Sequence, residues 1–440
     1  MTVSKAGAVV GSAARATKTR YVVLAILCAL YFISYLDRVT ISVTAPKIIE
    51  EFHFSKTIMG SIFSAFAITY TIFQVPGGTL GDRFGPRTVL AGLMAWWSAF
   101  TILTGFASSY ASFFIVRLFF GVGEAGGFPV ATRALATWFP PSMRGFLQGV
   151  THAASRAGAA FAPPIIVAIV AYTGGWRPPF YILGAIGFLW SVGFYLYYRN
   201  APSESKRVNQ LEIDAIGKHT AVATTGEKRA VPWRRIFSNK DVWMLTLSYF
   251  AYGYTLWIYL TWLPTYLKEG LHFSFAQLGF LASIPLIGAI AGDLFGGWAS
   301  DALWRRTGNL NLARRSIIVV SFLGAAAFTI PAVFVANPFL SVALQTGALF
   351  MLECAVSNCW AVAMDLGGRY YSGTTSGIMN MASGAAAIIS PFVFGVLVDR
   401  TGSWSTGFVI GSVILVLGAV TILFTDATNT VDEPIAVTLT

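Results

Sequence analysis

Long apolar runs recur along the whole chain, separated by short polar gaps. Crossing a hydrocarbon core of ~30 Å takes about 20 apolar residues as helix. Twelve stretches meet that length: 22–44, 57–80, 88–106, 110–131, 146–171, 179–198, 242–266, 276–299, 316–336, 339–364, 374–398 and 404–424. Gly, Ala and Ser recur inside them, as expected where helices pack through small side chains. The alternating segments of about ten residues that mark a transmembrane β-barrel are absent. The pattern therefore predicts an all-α membrane protein with twelve transmembrane helices. The longest polar stretch divides six from six, which predicts a first bundle over 1–198, a cytoplasmic loop over 199–241 and a second bundle over 242–440. Within the loop, "SESKRVNQLEIDAIGK" is expected to form a short amphipathic surface helix and "TAVATTGEKRAVP" a flexible linker.

Composition agrees. Of 440 residues, 55% are hydrophobic and only 11% charged, against about 25% charged in soluble domains. The net charge of +11 sits in alternate gaps between apolar runs and forms no basic stripe, which argues against a nucleic-acid partner. With both termini cytoplasmic, inner segments hold 22 Lys and Arg and outer segments five, leaving Arg38, Arg117 and Arg156 inside spans. That asymmetry predicts a multi-pass protein of the inner membrane, termini inside. The first apolar run is too long for a cleaved signal and carries Asp37 and Arg38, so it reads as a retained helix. Three cysteines in apolar runs and four unclustered histidines give no disulfide framework and no metal site. No phosphate-binding loop or nucleophile elbow is present, so neither an enzyme nor a cofactor is expected.

The halves repeat. "GGTLGDRFG" (77–85) joins spans two and three, and "GGWASDALW" (296–304) joins eight and nine. Trp176 and Phe180 are echoed 228 residues later by Trp404 and Phe408. Duplicated six-helix bundles place a binding site near the midplane, between the halves.

A charge at the bilayer centre costs about 2.5–3.5 kcal/mol, yet seven ionisable groups lie within spans: Asp37, Arg38, Arg117, Glu124, Arg156, Asp293 and Glu353. Such groups should face a cavity and pair with something. In the first half three arginines meet two carboxylates, and an anionic substrate would neutralise the remaining positive charge. Arg suits a carboxylate because its planar fork donates two parallel hydrogen bonds. Arg117 and Glu124 share one face two turns apart, whereas Asp37 and Arg38 diverge by ~100°. A carboxylate alternately wetted and desolvated can take a proton on one side and lose it on the other; Asp37 and Glu124 are the candidates. Arg156 is either a further substrate contact or the partner of an acid on another helix. Asp293 and Glu353 could pair with it across the halves, form an extra proton site or stabilise a helix contact.

The twelve spans with "GGTLGDRFGPR" resemble the major facilitator superfamily. "YLDR" (35–38), "FSAFAITYTIFQVPGG" (63–78), "RLFFGVGEAGGFP" (117–129), "WLPTYL" (262–267), "CWAVAMD" (359–365) and "SGIMNMASG" (376–384) are similar to its anion:cation symporter family, which includes bacterial galactonate, glucarate and hexuronate transporters, sialin and the vesicular glutamate transporters. That resemblance implies substrate contact at Arg38 and Arg117, coupling at Asp37 and Glu124, and cavity positions at Tyr35, Tyr70, Ser357, Trp360 and Asn380. It also implies a cytoplasmic gate at Asp82 and Arg83, which Arg133, Arg144, Asp301 and Arg369 are expected to join. The expectation is a monomeric proton-coupled symporter among membrane lipids, importing a small organic anion. A sugar acid (hexuronate, aldonate or aldarate) leads, with an uncoupled anion exchanger or a carrier of another carboxylate as rivals.

Overall fold

The computed structural model describes residues 16–139, 144–216 and 232–431, all helix and connecting turns with no strand among them. α1 (Thr19–Phe52) begins where Lys18 gives way to an apolar run. The first backbone N–H groups of a helix have no partner inside it. Here Thr19 N and Arg20 N donate to the Glu212 carboxylate at 3.2 and 2.9 Å. Glu212 belongs to α8 (Gln210–Ile216), inside the expected surface helix, and is fully buried. That segment is pinned to the start of the first span.

α2 (Lys56–Phe84) starts on a Ser55 cap and ends at Gly85, whose φ of +80° turns the chain into α3 (Pro86–Phe106) with Pro86 at its first position. The fourth predicted span is broken into α4 (Tyr110–Ala125) and α5 (Gly127–Trp138) at Gly126. α6 (Arg144–Thr173) carries Pro163 and Pro164, and α7 (Pro178–Tyr197) completes the first half. After α9 (Trp233–Ser238) come α10 (Lys240–Thr265), the α11 (Phe275–Leu281) and α12 (Ser283–Thr307) pair, and α13 (Leu310–Ala332). α14 (Pro338–Cys354) breaks at Ala355 into α15 (Val356–Thr401), and α16 (Trp404–Leu423) closes the fold. The gap expected between spans ten and eleven is helical, because α15 continues through it for 46 residues.

Among the described residues eleven segments are long and apolar enough to cross a membrane, with mean hydropathies from 1.3 to 2.4. Their outward faces carry Leu189, Leu294 and Phe280 at over 70% exposed, a surface suited to lipid.

Small residues set the closest contacts. On α12, Gly288, Gly292 and Gly296 face α14 at successive turns. A Cβ on Gly292 would lie 2.1 Å from Phe350 O, and one on Gly296 would lie 2.1 Å from Cys354 O. Gly158 does the same between α6 and α1, where a Cβ would stand 2.2 Å from Phe32 O. These approaches bring Asp293 near Glu353 and set Arg156 beside α1. The halves meet where α2 packs on α15, α1 on α10, and α6 on α11 and α12.

Candidate functional site

A cavity of about 620 Å³ lies between the halves, lined from both. Tyr35, Arg38, Tyr70, Arg156, Ser357, Trp360 and Asn380, all named from the sequence, line it together. Arg117, the eighth expected substrate residue, instead lines a small adjoining pocket with Arg38, Ser42 and Thr261.

Arg38 projects from α1 into a cage of rings. Its guanidinium carbon stands 4.4 Å from the Tyr70 ring centroid, 4.8 Å from Tyr35, 5.2 Å from Phe66 and 5.4 Å from Phe128. Each ring face attracts the cation, the more so where water is excluded. Arg38 Nε donates to Glu124 Oε1 at 2.9 Å, and Ser34 Oγ donates to the same oxygen. Arg38 Nη2 and Glu124 Oε2 are buried without hydrogen-bond partners among the described residues. The ion pair therefore leaves one donor and one acceptor in reserve.

Asp37, one residue earlier, turns away from the cavity as the helical angle requires. It is 3% exposed, neither oxygen has a hydrogen-bond partner among the described residues, and it neighbours Arg117, Glu124 and Trp97. Arg117 lies against the rings of Phe120 at 4.5 Å and Phe66 at 5.0 Å.

On the cavity's other flank, Arg156 Nη1 donates to Glu353 Oε1 at 2.7 Å, and its Nη2 stands 4.0 Å from Asp293 Oδ2. The Tyr252 hydroxyl donates to Glu353 Oε1 at 3.1 Å. Of the readings open for Arg156, Asp293 and Glu353, the cross-half pairing is present. It corrects the charge count drawn from the first half alone. Three intramembrane arginines face four carboxylates, so the second half more than neutralises the surplus cation.

At the end expected to hold the gate, the Asp82, Arg144 and Arg369 side chains lie outside the described residues. Arg83 is exposed over the Phe84 ring at 5.2 Å. Arg133 Nη1 donates to Gly81 O at 3.0 Å, tying α5 to α2. Asp301 takes Arg314 at 3.3 Å. Each of these two contacts lies within one half.

The cavity also takes in Gln74, His152, Tyr249, Tyr252, Trp257 and Ser383, which the sequence did not single out. Trp360 Nε1 donates to the Tyr249 hydroxyl at 3.0 Å, so two of these rings hold each other in place. Among the described residues no group of three or more His, Cys, Asp or Glu is placed to hold a metal.

A family model described as Major Facilitator Superfamily matches residues 27–391 and 245–436. A protein described as a probable sulfoacetate transporter of Cupriavidus necator is 42% identical over 95% of this chain and 96% of its own. The hexuronate transporter of Bacillus subtilis is 32% identical, covering 89% and 91%. A probable L-galactonate transporter of Escherichia coli is 31% identical, covering 94% and 91%. Among solved structures, a bacterial homolog of the human lysosomal transporter Spinster, inward-facing and unoccupied, superposes with a TM-score of 0.76 at 18% identity, over 93% of this chain and 97% of that one.

Proposed function

The chain belongs to the major facilitator superfamily, and from that premise we propose that it is a proton-coupled symporter importing a small organic anion across the inner membrane. It is a membrane transporter and not an enzyme. In this reading the aromatic-rich α10 is the seventh span, which brings the eleven to twelve, and both termini face the cytoplasm. The chain then forms the two six-helix halves 1–198 and 242–440 about the loop 199–241.

One observation carries the proposal: Arg38 lines the cavity while, among the described residues, its ion pair is with a buried glutamate of its own half. A cargo carboxylate entering the cavity competes with Glu124 for that guanidinium. Two carboxylates cannot share it cheaply in a low-dielectric site, so a proton on Glu124 releases Arg38 to the cargo. Loss of that proton on the inner side restores the pair and expels the cargo. Anion and proton then move together. Asp37, beside Arg117 and Glu124, adjusts the charge of the same interior, and Arg117 holds the positive potential behind Arg38.

Tyr35, Tyr70 and Asn380 can hydrogen-bond hydroxyls, which supports a sugar acid. The 42% identity to a sulfoacetate transporter, against 31% and 32% for the sugar-acid carriers, favours a second reading, a short sulfonated carboxylic acid. The test is uptake into proteoliposomes. An inward proton gradient should drive accumulation, a protonophore should abolish it, and Arg38→Gln should reduce it at least about tenfold, the loss expected for one charge-assisted contact. Uptake indifferent to the protonophore would point to the uncoupled exchanger.

A further inference from the structure

The environment of Arg156 repeats that of Arg38. Glu124 lies two residues before Gly126, where α4 breaks, and Glu353 lies two residues before Ala355, where α14 breaks. Their offset, 353 − 124 = 229, is within one residue of the 228 that relates Trp176 to Trp404. Glu353 is therefore the second-half counterpart of Glu124. Each glutamate binds a first-half arginine that lines the cavity, at 2.9 Å to Arg38 and 2.7 Å to Arg156, and each keeps a buried second oxygen without a partner among the described residues.

The two arginines stand at different depths. α6 runs alongside α1 in the same direction, with Gly158 against Phe32 and Trp176 Nε1 bonded to Glu51. A residue of α6 is thus level with one on α1 numbered 125 or 126 lower (176 − 51 and 158 − 32). The Arg156 backbone is level with about residue 30, eight residues from Arg38, or about 12 Å along the axis, and the side chains narrow that gap, since Tyr35 neighbours both guanidinium groups. They also lean on different walls, Arg38 on α4 and Arg156 on α14 and α12. A single carboxylate that takes Arg38 leaves Arg156 on its own counter-ions.

We propose that Arg156, with Glu353 and Asp293, forms a second acid-binding subsite, so that the preferred cargo carries two acidic groups, one for each cavity arginine. This rests on the reading of the chain as an organic-anion transporter and narrows it. Dicarboxylates and sulfocarboxylates carry the two acidic groups; hexuronates and aldonates, with one, do not use the second subsite. The second acid of the cargo displaces Glu353 from Arg156, and a proton taken up from the aqueous phase that the cavity faces neutralises the displaced carboxylate. The groups facing Glu353 are Arg156 on α6, Asp293 on α12, and Tyr252 and Tyr249 on α10, with Cys354 adjoining and His152 and Tyr35 beside Arg156. Because the Arg156 pair bridges the halves, its exchange for cargo also loosens a contact that rocking of the halves must break.

The test compares matched pairs by calorimetric binding to the purified full chain: glucarate against gluconate, and sulfoacetate against acetate. In the native chain the diacid of at least one pair should bind about tenfold to a hundredfold tighter than its monoacid, the range for a charge-assisted contact. Which pair does so tells a carboxylate from a sulfonate as the second group. Arg156→Gln should weaken diacid binding far more than monoacid binding, so that the preference falls to within about twofold. Glu353→Gln, which keeps the arginine and leaves it Asp293 at 4.0 Å as its counter-ion, should strengthen diacid binding more than monoacid binding. No preference in either native pair, equal weakening of diacid and monoacid by Arg156→Gln, or unchanged diacid affinity in Glu353→Gln would each overturn the subsite while leaving organic-anion transport standing. A native chain that binds none of the four probes would instead contradict the transport reading itself.

Discussion

In the proposed mechanism Arg38 is the residue on which the chemistry turns, and its surroundings explain how a cation persists in an apolar protein. The Glu124 carboxylate neutralises it, while the rings of Tyr70 and Tyr35 cover its faces. A desolvated cation–π contact contributes about 2 kcal/mol, an exposed one about 0.5–1. Tyr70→Phe keeps the ring and removes only the hydroxyl, so it should weaken substrate affinity less than the loss of the ring does. Tyr70→Leu removes it and should weaken affinity about 3- to 30-fold, measured by calorimetric titration. At this scale the sequence was informative where charge was concerned, since an ionisable group in an apolar run has few explanations. It was silent on Tyr249, Tyr252 and Trp257, because an aromatic side chain in an apolar helix more often packs against its neighbours than lines a cavity. It also misjudged the charge balance. A count confined to one half could not register that Glu353 and Asp293 reach Arg156 across the interface.

The helices place these residues through small side chains and breaks. The Gly288, Gly292 and Gly296 stripe draws α12 onto α14, and that approach positions Asp293 and Glu353 around Arg156. Gly292→Val would drive a Cβ to 2.1 Å from Phe350 O, a contact only a backbone shift can relieve. Overpacking of this kind costs about 1–3 kcal/mol, so the melting temperature in detergent should fall by several degrees. A Cβ added at Gly377 would meet nothing within 4 Å, and because Ala favours a helix interior over Gly, Gly377→Ala should not lower the melting temperature. The spans themselves were legible, because twenty apolar residues have one economical conformation in lipid. Their ends and breaks were not. Nothing in "GEAGGF" or "LECAVS" separates a broken helix from a continuous one, and nothing in the polar stretch that α15 crosses signals that the helix runs on through it.

Across the whole molecule, one end is tied shut. Asp399 near the end of α15 accepts from Lys56 N at 2.9 Å, Thr57 N at 2.6 Å and Thr57 Oγ1 at 2.6 Å, capping α2 from the other half. Lys56 reaches Glu269 at 2.6 Å, and Lys268 reaches Glu50 at 3.2 Å. Gly60 and Gly395 let α2 and α15 touch beside them, against Pro391 O and Lys56 O. In the proposed topology this is the outer end, so opening to the outside must break these contacts. Asp399→Asn removes the charge that complements the start of α2 and should shift the population toward outward opening. Spin labels on the two halves at that end should report a longer mean distance than in the native chain. An unchanged distance distribution would show that apolar packing alone holds the end closed. The account as a whole depends on Glu124 carrying the proton that frees Arg38. The direct measurement is lumenal pH in proteoliposomes after addition of substrate with no imposed gradient. The native protein should acidify the lumen as the anion enters, whereas Glu124→Gln should still exchange labelled anion across the membrane with markedly less acidification. Substrate-driven acidification of equal size in Glu124→Gln would contradict the account.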